Sequence, residues 1–172
     1  MAEKEIYLAG GCYWGVEKFM SSLKGVTNTQ VGFANGTVEA PTYRQVCQEP
    51  TGHAESVRET YDGGVLPLPT LLGLFYRIID PTAFQRQGGD AGSQYRTGVY
   101  YTDGADAPVV ASSLAALAAT LDKPLAVEQG PLRCFYPAEE AHQHYLDKNP
   151  GGYCHVPWEM IRWAAQFDPE KA

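Results

Sequence analysis

The chemistry available to this 172-residue chain converges on one thiol, Cys12, in the run Ala9-Gly10-Gly11-Cys12-Tyr13-Trp14-Gly15. A thiolate is a soft nucleophile, and its sulfur can be oxidised and reduced again. Residues 5–9 read as a strand, and beyond the cysteine Val16, Phe19, Met20 and Leu23 recur at helical spacing. Cys12 therefore falls where a strand turns into the first turn of a helix. Unpaired N–H groups and the positive end of the helix dipole there favour thiolate. Gly10 and Gly11 permit a sharp turn or a close backbone approach at the sulfur. The opposing reading, cysteine as a small buried hydrophobe, leaves the glycine pair unexplained.

Other candidates are scattered through the chain. Glu55 follows Gly52-His53-Ala54 at the start of a predicted strand. Asp90 sits in Gly88-Gly89-Asp90-Ala91-Gly92, with Tyr95 just after, and Tyr43 follows Pro41-Thr42. Cys154 follows Asn149-Pro150-Gly151-Gly152-Tyr153, a segment with little to hold it rigid. Burial raises a carboxyl pKa and turns the group into a proton donor at neutral pH. Phenols can donate to an oxygen that gains charge. A second thiol can condense with an oxidised first one. Each also has a bland reading: a solvated strand-edge Glu, an Asp bonded to its own turn, core tyrosines, a free surface thiol. His142 and His144 lie two apart on a predicted helix and so point apart, which disfavours a shared metal.

Bulk properties narrow the classes. A net charge of −7 argues against a nucleic-acid surface and against anionic membranes. No apolar run approaches a membrane span. The stretch before Cys12 is too short for a signal-peptide core, which makes the cytoplasm, with its reduced thiols, the expected compartment. Cys12, Cys47, Cys134 and Cys154 form no CxxC pair, so structural zinc is not expected.

The elements that must position these groups alternate. Strands are expected at residues 5–9, 26–33, 55–61, 97–101 and 125–129, and helices at 15–22, 69–79, 107–121, 138–146 and 158–167. A short helix or turn is expected at 41–46, a glycine-rich loop at 87–93 and an irregular stretch at 147–157. Short strands with long connections favour a two-layer α/β (α+β) sandwich, a mixed sheet with flanking helices, over a doubly wound parallel fold. The expected organisation is one domain over 1–172, with 147–172 as a C-terminal tail carrying Cys154.

Taken in order, Gly11-Cys12-Tyr13-Trp14-Gly15, Pro41-Thr42-Tyr43, Gly52-His53-Ala54-Glu55, Gly89 to Arg96, Phe135 to Glu139 and His142-Gln143 form a set far more specific than any single motif. From about Glu5 to Cys154 the chain resembles the peptide methionine sulfoxide reductase A family. The resemblance implies a ferredoxin-like core and reduction of the S epimer of methionine sulfoxide, free or in proteins, as a repair of oxidative damage. It implies Cys12 as nucleophile, and Tyr13 and Trp14 as the aromatic pair holding the substrate methyl. It further implies Tyr43 and Tyr95 as phenols near the sulfoxide oxygen, Glu55 as the acid and Asp90 as a supporting carboxylate. Cys154 lies where many members carry a resolving cysteine, reset by thioredoxin. No metal or organic cofactor is implied, and a monomer is expected. Tyr13 stands where phenylalanine is common, and Ala141 where tyrosine is common.

Three other readings stay open on the residues alone. One is a cysteine hydrolase with His53, His142 or His155 as base. Another is a thiol peroxidase. The third is a non-catalytic module binding oxidised methionine or peptide.

Overall fold

The computed structural model describes residues 3–48 and 51–171. Six strands form one sheet in the order β7-β6-β1-β3-β2-β8. They are β1 (Glu3–Gly10), β2 (Val26–Ala34), β3 (Ala54–Asp62), β6 (Thr97–Tyr101), β7 (Glu128–Pro131) and β8 (Phe135–Pro137). Only the β6–β7 pair is parallel, so the sheet is mixed. A separate two-strand ribbon, β4 (Arg86–Gln87) with β5 (Asp90–Ala91), occupies the glycine-rich loop. The helices are α1 (Tyr13–Ser21), α2 (Tyr43–Gln48), α3 (Leu68–Tyr76), α4 (Ala107–Ala118), α5 (Tyr145–Lys148) and α6 (Trp158–Gln166). The chain order β1-α1-β2-β3-α3-β6, with spatial order β6-β1-β3-β2, is that of a ferredoxin-like core.

Strand alternation explains what is buried. On β1, Ile6 and Leu8 face the helices, whereas Tyr7 and Ala9 join a small cluster with Ala34, Ala54 and Tyr100 on the opposite face. On β3 the helix-facing set is Glu55, Val57, Glu59 and Tyr61, all buried. Two carboxyls are therefore carried into the main core by the same parity that buries Val57. Helix α3 is apolar around most of its circumference, with Leu71, Leu72, Leu74 and Phe75 buried. Helix α6 starts after Pro157 and seats Ile161 and Ala164 in the core. Each such fully buried Leu or Phe side chain contributes on the order of 1.5–3 kcal/mol.

Two expectations fail locally. The helix expected over 138–146 is absent. Phe135–Pro137 pairs with β2 instead, a 3-10 turn covers Glu140–His142, and His144 takes φ 51° before α5 begins at Tyr145. A left-handed residue cannot continue an α-helix, so Ala138, just after β8, and Leu146, in α5, are buried from separate elements. The strand expected over 125–129 lies later, at Glu128–Pro131, where it adds to β6 as an edge. The last expected helix, over 158–167, is present as α6, docked at the end of the tail.

Candidate active site

The cysteine turn is shaped by what lies against its glycines. Gly11 adopts φ +88°, and a methyl group there would sit 2.6 Å from Gln87 Cβ. Gln87 is fixed in turn by Asp80, whose N–H donates to Oε1 and whose carbonyl accepts from Nε2, both at 2.8 Å. A methyl on Gly10 would meet the Phe75 ring at 2.9 Å. The backbone is thus wedged between α3 and the β4 ribbon, and only glycine fits. Cys12 follows as the N-cap of α1. It is 5% exposed.

The helix start does not win the electrostatic contest in this resting state. Burial raises the Cys12 thiol pKa, and the Glu55 carboxylate raises it further, against the lowering effect of the Trp14 N–H. The thiolate expected from the helix N-terminus alone is therefore not the resting form. The Glu55 part of this effect depends on the state of that carboxyl, whereas the effect of burial does not. That carboxyl is fully buried. Tyr13 N–H donates to Oε1 at 3.2 Å. Oε2 has no hydrogen-bond partner. Burial, reinforced by Asp90 and opposed by the Tyr13 N–H, pushes the Glu55 pKa up to about 8. At neutral pH the group is mostly a neutral acid, with a bare oxygen for its proton and no charge to repel a thiolate.

Aromatic rings enclose the two. Tyr13 is wholly buried and packs on Phe33, Tyr43 and His142. Trp14 is half-buried and lies flat on Tyr145, with ring centroids 3.7 Å apart. Its Nε1–H donates to His142 Nδ1 at 3.2 Å, and His142 stacks on Tyr43 at 4.4 Å. Burial first, then the Glu55 charge, raises the pKa of both Tyr43 and Tyr95, so both phenols keep their protons. The exposed thiol of Cys47, on α2, lies beside the same two hydroxyls.

The segment carrying Cys154 is tied down rather than loose. Tyr153 Oη–H donates to Asp90 Oδ2 at 2.9 Å. Cys154 is half-buried, its thiol directed to the Val156 carbonyl at 3.1 Å. The imidazole of His155 reaches the Gly10 carbonyl at 3.0 Å. Asp90, expected to support the acid, thus both faces Glu55 electrostatically and holds this segment.

The sequence-predicted residues Cys12, Tyr13, Trp14, Tyr43, Glu55, Asp90 and Tyr95 come together from five elements. His142 and His144 do not share a site: His144 interacts with Glu17 and Asp147 instead. Ala141 is exposed. Residue reasoning missed His142 and Tyr145 as walls of the aromatic box and Gln87 as the wedge. His142-Gln143 carried a motif signal, whereas nothing in the sequence marks Gln87. A groove of about 720 Å³ lies between α3 and α4 and contains none of these groups.

A buried thiol beside a buried neutral acid, walled by aromatics and with a second thiol tethered close by, defines a thiol-dependent oxidoreductase. Residues 4–170 match the family model described as peptide methionine sulfoxide reductase. A relative from Lachnoclostridium phytofermentans, named peptide methionine sulfoxide reductase MsrA, is 56% identical over 89% of this chain and 92% of its own length. The structure resembles reduced Mxr1 from Saccharomyces cerevisiae, with TM-score 0.85, 36% identity and 90% and 91% of the two chains covered. It resembles methionine sulfoxide reductase A of Corynebacterium diphtheriae equally, at TM-score 0.85 and 35% identity over 90% and 83% of the chains. The chain belongs to the peptide methionine sulfoxide reductase A family, whose members reduce peptide methionine (S)-S-oxides.

Proposed function

We propose that Cys12 attacks the sulfur of methionine sulfoxide while Glu55 protonates its oxygen. The observation that carries this reading is the bare, buried Oε2 of Glu55, whose other oxygen, Oε1, accepts the N–H of the residue next to Cys12. A sulfoxide is a poor electrophile until its oxygen is protonated or strongly hydrogen-bonded. The phenols of Tyr43 and Tyr95 donate to the same oxygen as charge develops there. The half-exposed Trp14 presents the accessible aromatic face for the substrate methyl, and Tyr13 forms the wall behind it. The oxygen passes from substrate sulfur to Cys12 sulfur: thiol and sulfoxide become sulfenic acid and methionine, with no external reductant.

Cys154 then attacks Cys12. The S–S bond forms, the S–O bond breaks, and the hydroxyl leaves as water with the Cys154 proton. Thioredoxin, a dithiol, returns both cysteines to thiols by exchange. In this reading residues 1–172 are one catalytic domain, with the resolving cysteine in 147–172, and the protein works as a monomer. It acts in the cytoplasm on free or protein-bound methionine S-oxide. No helix among the described residues is long and apolar enough to cross a membrane.

The test is one turnover without reductant. Reduced enzyme mixed with excess methionine sulfoxide should release one methionine and yield a Cys12–Cys154 peptide on mapping. Cys12→Ser should release none while keeping the wild-type circular dichroism spectrum. Methionine release by Cys12→Ser would overturn the assignment.

A further inference from the structure

His155 is absent from the mechanism above, yet its surroundings are unusually specific. Its ring lies across the turn that presents Cys12. Nε2 is 3.0 Å from the Gly10 carbonyl. A methyl added to Gly11 would meet that same nitrogen at 3.3 Å, and one added to Gly15 would meet Nδ1 at 3.0 Å. On the far side, a methyl on Gly88 would meet the His155 Cβ at 3.3 Å. Gly11 and Gly15 on one side and Gly88 on the other therefore line the slot that the His155 side chain fills. A carbonyl oxygen only accepts, so Nε2 carries the hydrogen and donates it. Nδ1 is then a bare acceptor, and it is buried without a partner. The buried Val156 lies directly beyond.

We infer that His155 is a positioning residue for the resolving step: its imidazole pins the Cys154 segment onto the Cys12 turn. The inference rests on the reading of Cys154 as the resolving thiol. Two anchors flank Cys154 in sequence, the Tyr153–Asp90 hydrogen bond at 2.9 Å and the His155–Gly10 contact at 3.0 Å. Of these, the Tyr153 side chain is 47% exposed, so its bond is open to water. The His155 contact is sheltered and reaches the cysteine turn itself. A disulfide needs the two Cα atoms within about 7 Å. A segment held at one end beside Gly10 and Gly11 keeps Cys154 at high effective concentration relative to Cys12. Without the pin, the water-exposed Tyr153–Asp90 bond is the anchor that remains of the two, and Pro150-Gly151-Gly152 adds little to hold the segment. The sulfenic acid, whose reduction by Cys154 releases water, would then persist.

The test separates first turnover from resolution. Reduced enzyme is mixed with methionine sulfoxide and quenched over time. Released methionine, dimedone-trapped Cys12 sulfenic acid and the Cys12–Cys154 disulfide are quantified. In His155→Ala, methionine release should stay within about twofold of wild type. Disulfide formation should slow by about tenfold or more, with trapped sulfenic acid rising to match. In His155→Gln the side-chain amide nitrogen takes the place of Nε2 and can still donate to Gly10. It should restore disulfide formation to within about threefold, the scale of one altered hydrogen bond. Wild-type disulfide kinetics in His155→Ala would overturn the proposal. So would a parallel loss of methionine release, which would make His155 a support of the Cys12 turn, or equal defects in both variants. Absence of a Cys12–Cys154 disulfide in the wild type would instead overturn the assignment of Cys154.

Discussion

Tyr13 gives its backbone N–H to one oxygen of Glu55 and leaves the other without a partner. The bond comes from the residue next to the nucleophile, so thiol and acid are placed by one structural unit. It also opposes the rise in the Glu55 pKa without cancelling it, since burial dominates. The carboxyl is left titrating at about 8, so it is mostly protonated at neutral pH.

Glu55→Gln keeps the shape and the acceptor for Tyr13 but cannot give a proton. Single-turnover methionine release should fall by roughly 10²–10⁴. The wild-type rate should decline as pH rises through about 8, because the acid is active only when protonated and ionises there. The variant should lack that decline. A pH–rate profile of both proteins checks the two expectations together.

The proposed arrangement of one acid, one pair of phenols and Trp14 about Cys12 would distinguish the two sulfoxide epimers. With sulfur opposite Cys12 and the methyl on Trp14, inverting the centre exchanges the substituents and takes the oxygen away from Glu55. Racemic methionine sulfoxide should be consumed to one half, leaving the R epimer, as read by chiral chromatography. Equal consumption of both would contradict the arrangement.

Cys154→Ser should release one methionine per enzyme at the wild-type rate and then stall with thioredoxin. Dithiothreitol, small enough to attack the sulfenic acid directly, should restore part of the turnover. Steady-state assays with each reductant make the comparison. Undiminished thioredoxin-driven turnover would move resolution to another thiol, and Cys47, beside Tyr43 and Tyr95, is the next to test.

A second carboxyl on β3 bears on stability rather than catalysis. Glu59 is fully buried, neither of its oxygens has a partner, and burial followed by the nearby Glu17 raises its pKa well above normal. The folded state holds this proton more tightly than the unfolded chain. Its contribution is therefore fully present below the unfolded pKa, near 4.5, and is lost as pH rises toward the folded value. The loss approaches about 1.4 kcal/mol per pH unit while the two states differ by one proton. Glu59→Gln should remove that slope and be the more stable protein at pH 7–8, with the gap closing toward pH 4. Urea titrations across pH measure it.

Much of this was legible in the sequence, for physical reasons. The strand at 55–61 announced itself by polar and apolar residues in alternation, as Val57, Glu59 and Tyr61 are buried and Arg58 and Thr60 are less so. Helix α3 did so by an apolar run too long for a strand. The site residues were legible because they sit in glycine- and proline-marked turns that interrupt those periods. The failures are also local. Residues 138–146 have the apolar spacing of a helix, but the left-handed His144 and the pairing of Phe135–Pro137 with β2 are tertiary outcomes. The Cys12 thiol was misjudged in the same way. A helix N-terminus can be read from sequence, whereas the depth of burial that outweighs it cannot. The anchoring of the Cys154 segment was invisible because its glycine partners, Gly10, Gly11, Gly15 and Gly88, lie far from it in the chain.

The fit between Gly15 and His155 also constrains how this protein can change over time. A methyl at position 15 would lie 3.0 Å from the imidazole and 3.2 Å from Val156 Cγ2, so Gly15→Ala requires the imidazole and Val156 to give by a few tenths of an ångström. Once position 155 has shrunk, the same change at 15 meets less resistance. It would then block the return of the imidazole. The two sites are thus joined by a ratchet. Lineages that lose the ring first can fill the slot, and those that fill it cannot readily recover the ring. A library randomised at both positions and selected for turnover should show that order of dependence.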